Sequence, residues 1–421
     1  MQKKYLVLMF MSISIFLGNL PWYSFSAVSQ DISRDLGLSS RDIGAILSAY
    51  QVGYVAVVLL TGWLADRVGR KRVILWATLL SGIFSTLFVW TATSFCTVLT
   101  MRLLAGLAAG AIYVPGMALL SGWFPENQRA GALGAYTGAL VSSYAGGYFI
   151  AAPVSAVYGW QAGILLTSLP VFIGVLIVIL FVREKPQEEY LLKDTGCGAA
   201  VNQVSRISLT KADYKGPVII TTSYMGHMWE LYAFWGWIGP FMIACALALG
   251  YPEIQAVSLG GLLASVIILS GVPGVWLMGI AADRWGHLNT IIVCSLCSIL
   301  AQFILGSLLG RSLTLVMICG LWLGFWVVAD SAIFKASLVE MSAAHIRATV
   351  LSVQSAAGFA MSIVSPFIFG LVLEFTNPGI KDPTQAANWR LPFVILGLGA
   401  LLAPLSAFIL KKSSKASIHS S

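Results

Sequence analysis

The chain of 421 residues is 58% hydrophobic and only 10% charged, with a mean hydropathy of +0.85. Soluble domains carry roughly a quarter charged residues, so a soluble globule is excluded. The net charge of +8 is spread over short loops, where basic residues set topology in a membrane protein; no nucleic-acid partner is expected.

Apolar runs of about twenty residues, enough to cross a hydrocarbon core, recur along the whole chain. Lipid-exposed backbone must satisfy its own hydrogen bonds, so these runs are helices. The start, MQKKYLVLMFMSISIFLG, is basic and then apolar, and the run continues through Trp22 and Phe25 without an A-x-A cleavage site; it is expected to be an uncleaved first helix. In chain order the predicted spans are 5–28, 42–64, 73–93, 97–122, 130–157 and 161–182, then 217–247, 254–281, 290–310, 313–340, 347–375 and 391–411. The polar interval between the sixth and seventh divides them equally. The predicted organisation is an N-terminal six-helix bundle over 1–182, a cytoplasmic linker over 183–215, and a C-terminal six-helix bundle with a short cytoplasmic tail over 216–421. With the N-terminus inside, 18 Lys and Arg fall on cytoplasmic segments and five, Arg34, Arg41, Arg311, Lys381 and Arg390, on outer loops. That bias places both termini in the cytoplasm of a cell-membrane protein.

Between the second and third spans stands a charged knot, GWLADRVGRKRV, from Gly62 to Val73, and a fainter copy, GIAADRWGHLNT, begins at Gly279. Asp66 and Asp283 are 217 residues apart; Arg129 and Arg347, each before the fifth helix of its half, are 218 apart. Two landmarks with nearly one offset indicate an internal repeat, parallel because both halves start inside. Gly62 and Gly69 permit a tight turn and close helix approach. Asp66 is an acceptor suited to a helix N-terminus, while Arg67, Arg70, Lys71 and Arg72 can reach lipid phosphates or acidic partners.

These residues resemble the loop signature of the major facilitator superfamily, G-x-L-x-D-R-x-G-R-R/K-x, and the likeness extends to twelve helices, the 6+6 repeat, the linker and the inward termini. The resemblance implies an all-α fold of two six-helix bundles related by a parallel pseudo-twofold, and a monomer in membrane lipid. It implies gate roles for Gly62, Asp66, Arg67, Gly69 and Arg70 and for Asp283 and Arg284 of the second copy, in which His287, Leu288 and Asn289 replace the basic run. Arg102 in MRLLAG matches the fourth-helix pattern R-x-x-x-G, with Gly106 and Gly110 as a small-residue pair. The fifth-helix pattern of drug antiporters, G-P-x-x-G-G, is absent from GALVSSYAGGYFIAAP.

Ionisable groups within membrane helices are costly and mark substrate or ion pathways by default. Five lie well inside: Arg102, His227, Glu230, Asp330 and Lys335. Glu230, midway along the seventh helix in GHMWELYAFWGW, is placed to carry a proton through a transport cycle; His227 shares its face, with Trp229 beside it. Asp330 and Lys335 are about 140° apart around their helix, so they are poor partners for each other. On the first helix Asn19, Trp22, Tyr23 and Ser26 form a polar and aromatic patch. In the family the first, fourth, seventh and tenth helices line the central cavity, and all five charges fall on three of these. Glu230, Arg102, His227, Asp330, Lys335, Asn19, Tyr23 and Trp229 are thus the candidate substrate-binding or proton-coupling residues.

Cys294 and Cys297 form a CxxC inside an apolar helix with no second pair, and the other cysteines show no framework, so neither metal nor disulfide is expected. Four histidines, three of them at loops or the tail, exclude a di-iron site. No phosphate-binding loop is present, so ATP is not the driving force, and no cofactor or enzyme activity is expected. The seventh helix resembles that of the nitrate/nitrite- and cyanate-permease branch. With Arg102 and Lys335, this implies a small organic or inorganic anion as substrate and protons as coupling ion. A proton-antiport exporter of a metabolite or drug, or a non-transporting sensor with the carrier fold, remain the alternatives.

Overall fold

Caps and glycine turns cut the apolar runs into helices. Ser39 and Asp42 form a reciprocal capping box, as do Ser94 and Thr97, each satisfying the first free N–H groups of a long helix. Gly69 and Gly286, at φ 98° and 79°, end one helix and start the next without an intervening loop. They are the repeated landmarks of the two charged knots, and only glycine adopts such a turn without strain.

The computed structural model describes residues 3–184, 211–342 and 347–419. Residues 185–210 of the predicted 183–215 linker, Cys197 among them, the side chains of Asp66 and Arg347, and the surroundings of Gly62 lie outside the described residues. Six long helices precede the linker: α1 (Lys3–Ala27), α2 (Ser40–Val68), α3 (Arg70–Thr91), α4 (Phe95–Ser121), α5 (Glu126–Tyr158) and α6 (Trp160–Phe181). Six follow it: α7 (Lys211–Ala248), α8 (Glu253–Trp285), α9 (His287–Leu308), α10 (Leu313–Met341), α11 (Arg347–Thr376) and α12 (Arg390–Ser413). Eleven are long and apolar enough to cross a membrane. The twelfth, α2, has 29 residues, also more than a span requires. Among the described residues all extended regular structure is helical, and the chain is an integral membrane protein.

Two details differ from expectation. The seventh helix begins at Lys211, six residues before the predicted 217, because the polar segment KADYKG continues the helix out of the apolar zone. Three cavity-side helices are broken near mid-depth: α1 at Leu20, before Pro21, which lacks an N–H; α4 between Ala109 and Tyr113; and α10 at Asp330.

The halves meet along two seams, α2 against α11 and α5 against α8. An even number of spans puts both termini on one face, here the terminal face, together with the Gly69 and Gly286 turns. Toward the opposite, far face the seams are tight. Gly44 packs on the carbonyl of Pro366, Gly370 on Ser40, and Gly261 on Ala152, all places where a Cβ would overlap its neighbour. Ser48 Oγ donates to Ile363 O at 2.6 Å, and Tyr148 Oη to Trp235 O at 2.8 Å. At the far face Arg34 pairs with both Glu253 and Asp382 of the other half, and the Arg41 backbone N–H donates to Glu374 at 3.0 Å. Toward the terminal face the α5–α8 seam opens: Gly131, Gly134 and Gly138 of α5 and Gly279 of α8 have no neighbour among the described residues within 4 Å of where a Cβ would stand.

Within the first half, Gly106 seats α4 against the Tyr50 carbonyl of α2. Gly106→Val should overpack that contact and lower Tm of the detergent-purified protein, at a cost of about 1–3 kcal/mol; Gly131→Val, with open space, should leave Tm unchanged.

At the far face burial pushes the Asp31 carboxyl up to about 6, against the pull of Arg34 and with help from Asp382 and Asp35. The closed far end therefore holds its proton more tightly than a solvated Asp does. Closure should weaken as pH rises from about 3.8 to about 6 and level off above. A single cysteine at Ser48, probed with a polar thiol reagent from the far face, should react faster as pH rises through that window. Asp31→Asn should flatten the response, and the opposite slope would contradict this assignment.

Candidate functional site

Pro21 follows the break in α1, and Arg102 of α4 braces the helical turn that it begins: Nη1 donates to Pro21 O at 3.2 Å and Nη2 to Trp22 O at 2.9 Å. Its guanidinium lies over the Tyr50 ring, 4.2 Å from the centroid, and near Phe25. A charge-assisted fork of this kind is strong and directional. The adjoining small cavity, lined by Pro21, Ser24, Phe84, Ser85, Arg102 and Ile164, is inside the first six helices. Arg102 is thus committed to the α1 break.

The segment it holds carries Trp22 and Tyr23, the core of an aromatic plug between the halves. Trp22 meets Tyr50, Tyr54 and Tyr144 at 4.7–5.0 Å, and Tyr144 meets Trp235 at 5.2 Å. Tyr23 meets Tyr144 and Trp235, and Tyr54 meets Phe359 of α11. The Tyr23 hydroxyl is buried and unpartnered. Asn19 turns back to Ile15 O at 3.0 Å, so it serves the α1 break.

In the second half His227, Glu230 and Asp330 are 0%, 1% and 1% exposed. All three face the interior between α7, α9 and α10. Glu230 Oε2 accepts from Ser298 Oγ at 2.8 Å and from Gln302 Nε2. Asp330 Oδ2 accepts from Ser295 Oγ at 3.3 Å, and its Oδ1 is 2.9 Å from His227 Nδ1. His227 Nε2 is 2.9 Å from Ser331 Oγ. His227 also packs against Tyr224 and Phe334. Helix membership alone therefore does not gather the five in-helix charges into one chamber: Glu230 and Asp330 turn toward α9, His227 toward α10, and Arg102 toward α1.

Lys335 differs from these four. It is exposed with Ala332 and Ala336 on α10, between the Asp330 break and the terminal face, and has no ion pair among the described residues. Trp229 faces α12, donating from Nε1 to Leu396 O at 3.1 Å and closing on Gly399. That places it away from the plug.

At the terminal face Arg70 Nη1 donates to Ala118 O at 2.9 Å, at the carbonyl end of α4. Arg67 lies over Trp63 at 4.3 Å. Asp283 and Arg284 are exposed on the last turn of α8. The acceptor seen at the start of α3 is Glu184, immediately after α6, which takes the backbone N–H groups of Arg70 at 2.9 Å and Lys71 at 3.3 Å. Sequence reasoning missed Glu184; the side chain of Asp66, for which it expects a role of that kind, lies outside the described residues. It also missed Ser295, Ser298 and Gln302, although they form a polar stripe at helical spacing in CSLCSILAQ; the cysteines of the same stretch drew the attention. Among the described residues no three His, Cys, Asp or Glu are grouped to hold a metal ion, and Cys96, Cys245, Cys294, Cys297 and Cys319 are free thiols.

The family model of the Major Facilitator Superfamily matches residues 7–366. The hexuronate transporter of Bacillus subtilis is 25% identical over 238 residues, 56% of each chain, so the match spans about half that relative's length. The "Probable sulfoacetate transporter SauU" of Cupriavidus necator is 21% identical over 425 residues, covering 95% of this chain and 93% of its own. Among solved structures, a bacterial homolog of the human lysosomal transporter Spinster, in an inward-facing and unoccupied conformation, superposes with a TM-score of 0.74 at 15% identity, covering 98% of this chain and 97% of that one. That likeness shows the fold. With the family model matched over most of its length, the chain belongs to the major facilitator superfamily.

Proposed function

We propose that this chain is a secondary active transporter that moves a small organic anion together with a proton by alternating access. The observation that carries the reading is closure at one end only. The seams are sealed by backbone contacts toward the far face and open along α5 and α8 toward the terminal face. A channel would need a path through both ends, and an enzyme would need no such asymmetry.

In this reading the terminal face is cytoplasmic, residues 1–182 and 216–421 rock as two bundles, and 183–215 is the linker between them. The monomer works in membrane lipid, with Gly62, Asp66, Arg67, Gly69, Arg70, Asp283 and Arg284 at the gate. The solute enters from the terminal face and stops at the plug of Trp22, Tyr23, Tyr50, Tyr54, Tyr144 and Trp235. The sign of its charge is read from Lys335: the buried acids turn toward α9, the exposed Glu340 at the end of α10 faces His287, and the exposed ionic group between them is a cation. The substrates for which the two relatives are named, a hexuronate and sulfoacetate, are anions and support the same sign. Glu230, with His227 and Asp330, carries the coupled proton. Arg102, Asn19 and Trp229 hold helices in place around the site.

Proteoliposomes loaded with a pH indicator test this. Adding glucuronate or sulfoacetate should evoke proton movement with wild type. Lys335→Gln should raise KM for the acid by about ten- to a hundredfold, since a charge-assisted contact is worth about 1.5–3 kcal/mol. Proton movement evoked by neutral solutes and by no acid would overturn the anion reading.

A further inference from the structure

Two carboxyl groups sealed beside one imidazole pose a charge problem. The groups facing this pocket are Tyr224, His227 and Glu230 from α7, Cys294, Ser295, Ser298 and Gln302 from α9, and Asp330 and Ser331 from α10. No Lys or Arg among the described residues bonds to any of them. Burying two carboxylates against one imidazole is prohibitive, and Glu230, which meets the neutral donors Ser298 and Gln302 and not the imidazole, is the carboxyl placed to hold a proton.

The neighbours of Glu230 are unusual for a site of that kind. Every bond drawn to it is a donor onto one oxygen, Oε2, from Ser298 and Gln302. The carbonyl oxygen of Gln302, Oε1, is buried and has no partner. A side-chain amide carries a donor and an acceptor on one rotor. Turned one way it donates to a carboxylate; turned the other way, its free oxygen accepts the O–H of a carboxylic acid. Ser298 has the same double capacity. A buried acceptor left without a donor is costly, so an orphaned Gln302 Oε1 beside a carboxyl is a poor structural staple and a suitable partner for a group that gains and loses a proton.

We propose that α9, which lies outside both seams between the halves, is the proton-handling helix: Gln302 and Ser298 position Glu230 in its ionised and protonated forms alike, and Ser295 fixes Asp330 one turn away. This rests on the proton-coupled reading above and adds to it that the proton is held behind α7, out of the path of the solute. In the loading step a proton from solvent forms an O–H bond on the Glu230 carboxylate and the Gln302 amide turns to accept it. In release that O–H bond breaks, the proton returns to solvent on the other side, and the amide turns back. Gln302 and Ser298 are positioning residues, since neither keeps the proton.

Infrared titration of the purified protein tests this without any substrate. Wild type should show a pH-dependent carbonyl-stretch band of a buried protonated carboxyl, and Glu230→Gln should abolish it. Gln302→Leu and Ser298→Ala should shift the band to higher frequency, because the acid has lost a partner, and Gln302→Asn should move it part of the way back. A Tm measured on each variant separates loss of packing from loss of proton handling. An unmoved band in Gln302→Leu and Ser298→Ala, or a band that survives Glu230→Gln, overturns the proposal. Failure of wild-type proteoliposomes to move any acid would instead overturn the transport reading while leaving the infrared result to stand or fall alone.

Discussion

The arrangement depends on how closely two helix backbones can approach. At Gly44, Gly261 and Gly370 the missing Cβ lets α2 meet α11 and α5 meet α8 at backbone distance on the far side. Contacts of that kind supply packing between helices in lipid, where apolar burial between helices gains little. The open glycines, Gly131, Gly134, Gly138 and Gly279, lie on the same α5 and α8 seam toward the terminal face. The seam therefore carries small residues along its whole length and is engaged over half of it, which is what a pair of bundles that close at either end in turn requires.

Buried ionic groups impose the second constraint. In a low-dielectric interior a charge without a partner is not tolerated, and each one here is accounted for by a different device. Arg102 bonds to the carbonyls of Pro21 and Trp22 just after the α1 break, which fixes the segment bearing Trp22 and Tyr23. His227 and Asp330 face each other, and Glu230 is wrapped by α9 donors. Lys335 stands outside that pocket, exposed on α10. The result separates an aromatic floor at the seam between halves from a polar pocket enclosed within the second half. They share α7, which contributes Trp235 to one and Glu230 to the other within five residues. A change of protonation at Glu230 thus acts on the helix that also forms the floor.

What the amino-acid sequence discloses is the periodic part of this. Apolar length gives the spans, and the repeated D-R-x-G knots give the duplication, confirmed in the matching left-handed turns at Gly69 and Gly286. Span edges fail where a helix leaves the membrane, as at Lys211. The rare charges point to the right helices, because burying an ionisable group needs a reason wherever it occurs. Their directions were not legible. Glu230 and Trp229 are adjacent in the chain yet contact α9 and α12 respectively, and spacing along one helix cannot say which neighbour stands on which side. Ser298 and Gln302 were invisible for a related reason: a serine and a glutamine in an apolar helix acquire meaning only once a carboxyl is seen to face them.

The central claim is that one molecule exchanges closure at the far face for closure at the terminal face. Spin labels on the ends of α5 and α8 at each face, with distances measured in lipid nanodiscs with and without glucuronate or sulfoacetate over a range of pH, test it most directly. The account predicts anti-correlated changes, with the terminal-face pair drawing together in the same population in which the far-face pair separates. Two pairs that shorten or lengthen together, or a far-face pair that never opens, would contradict it.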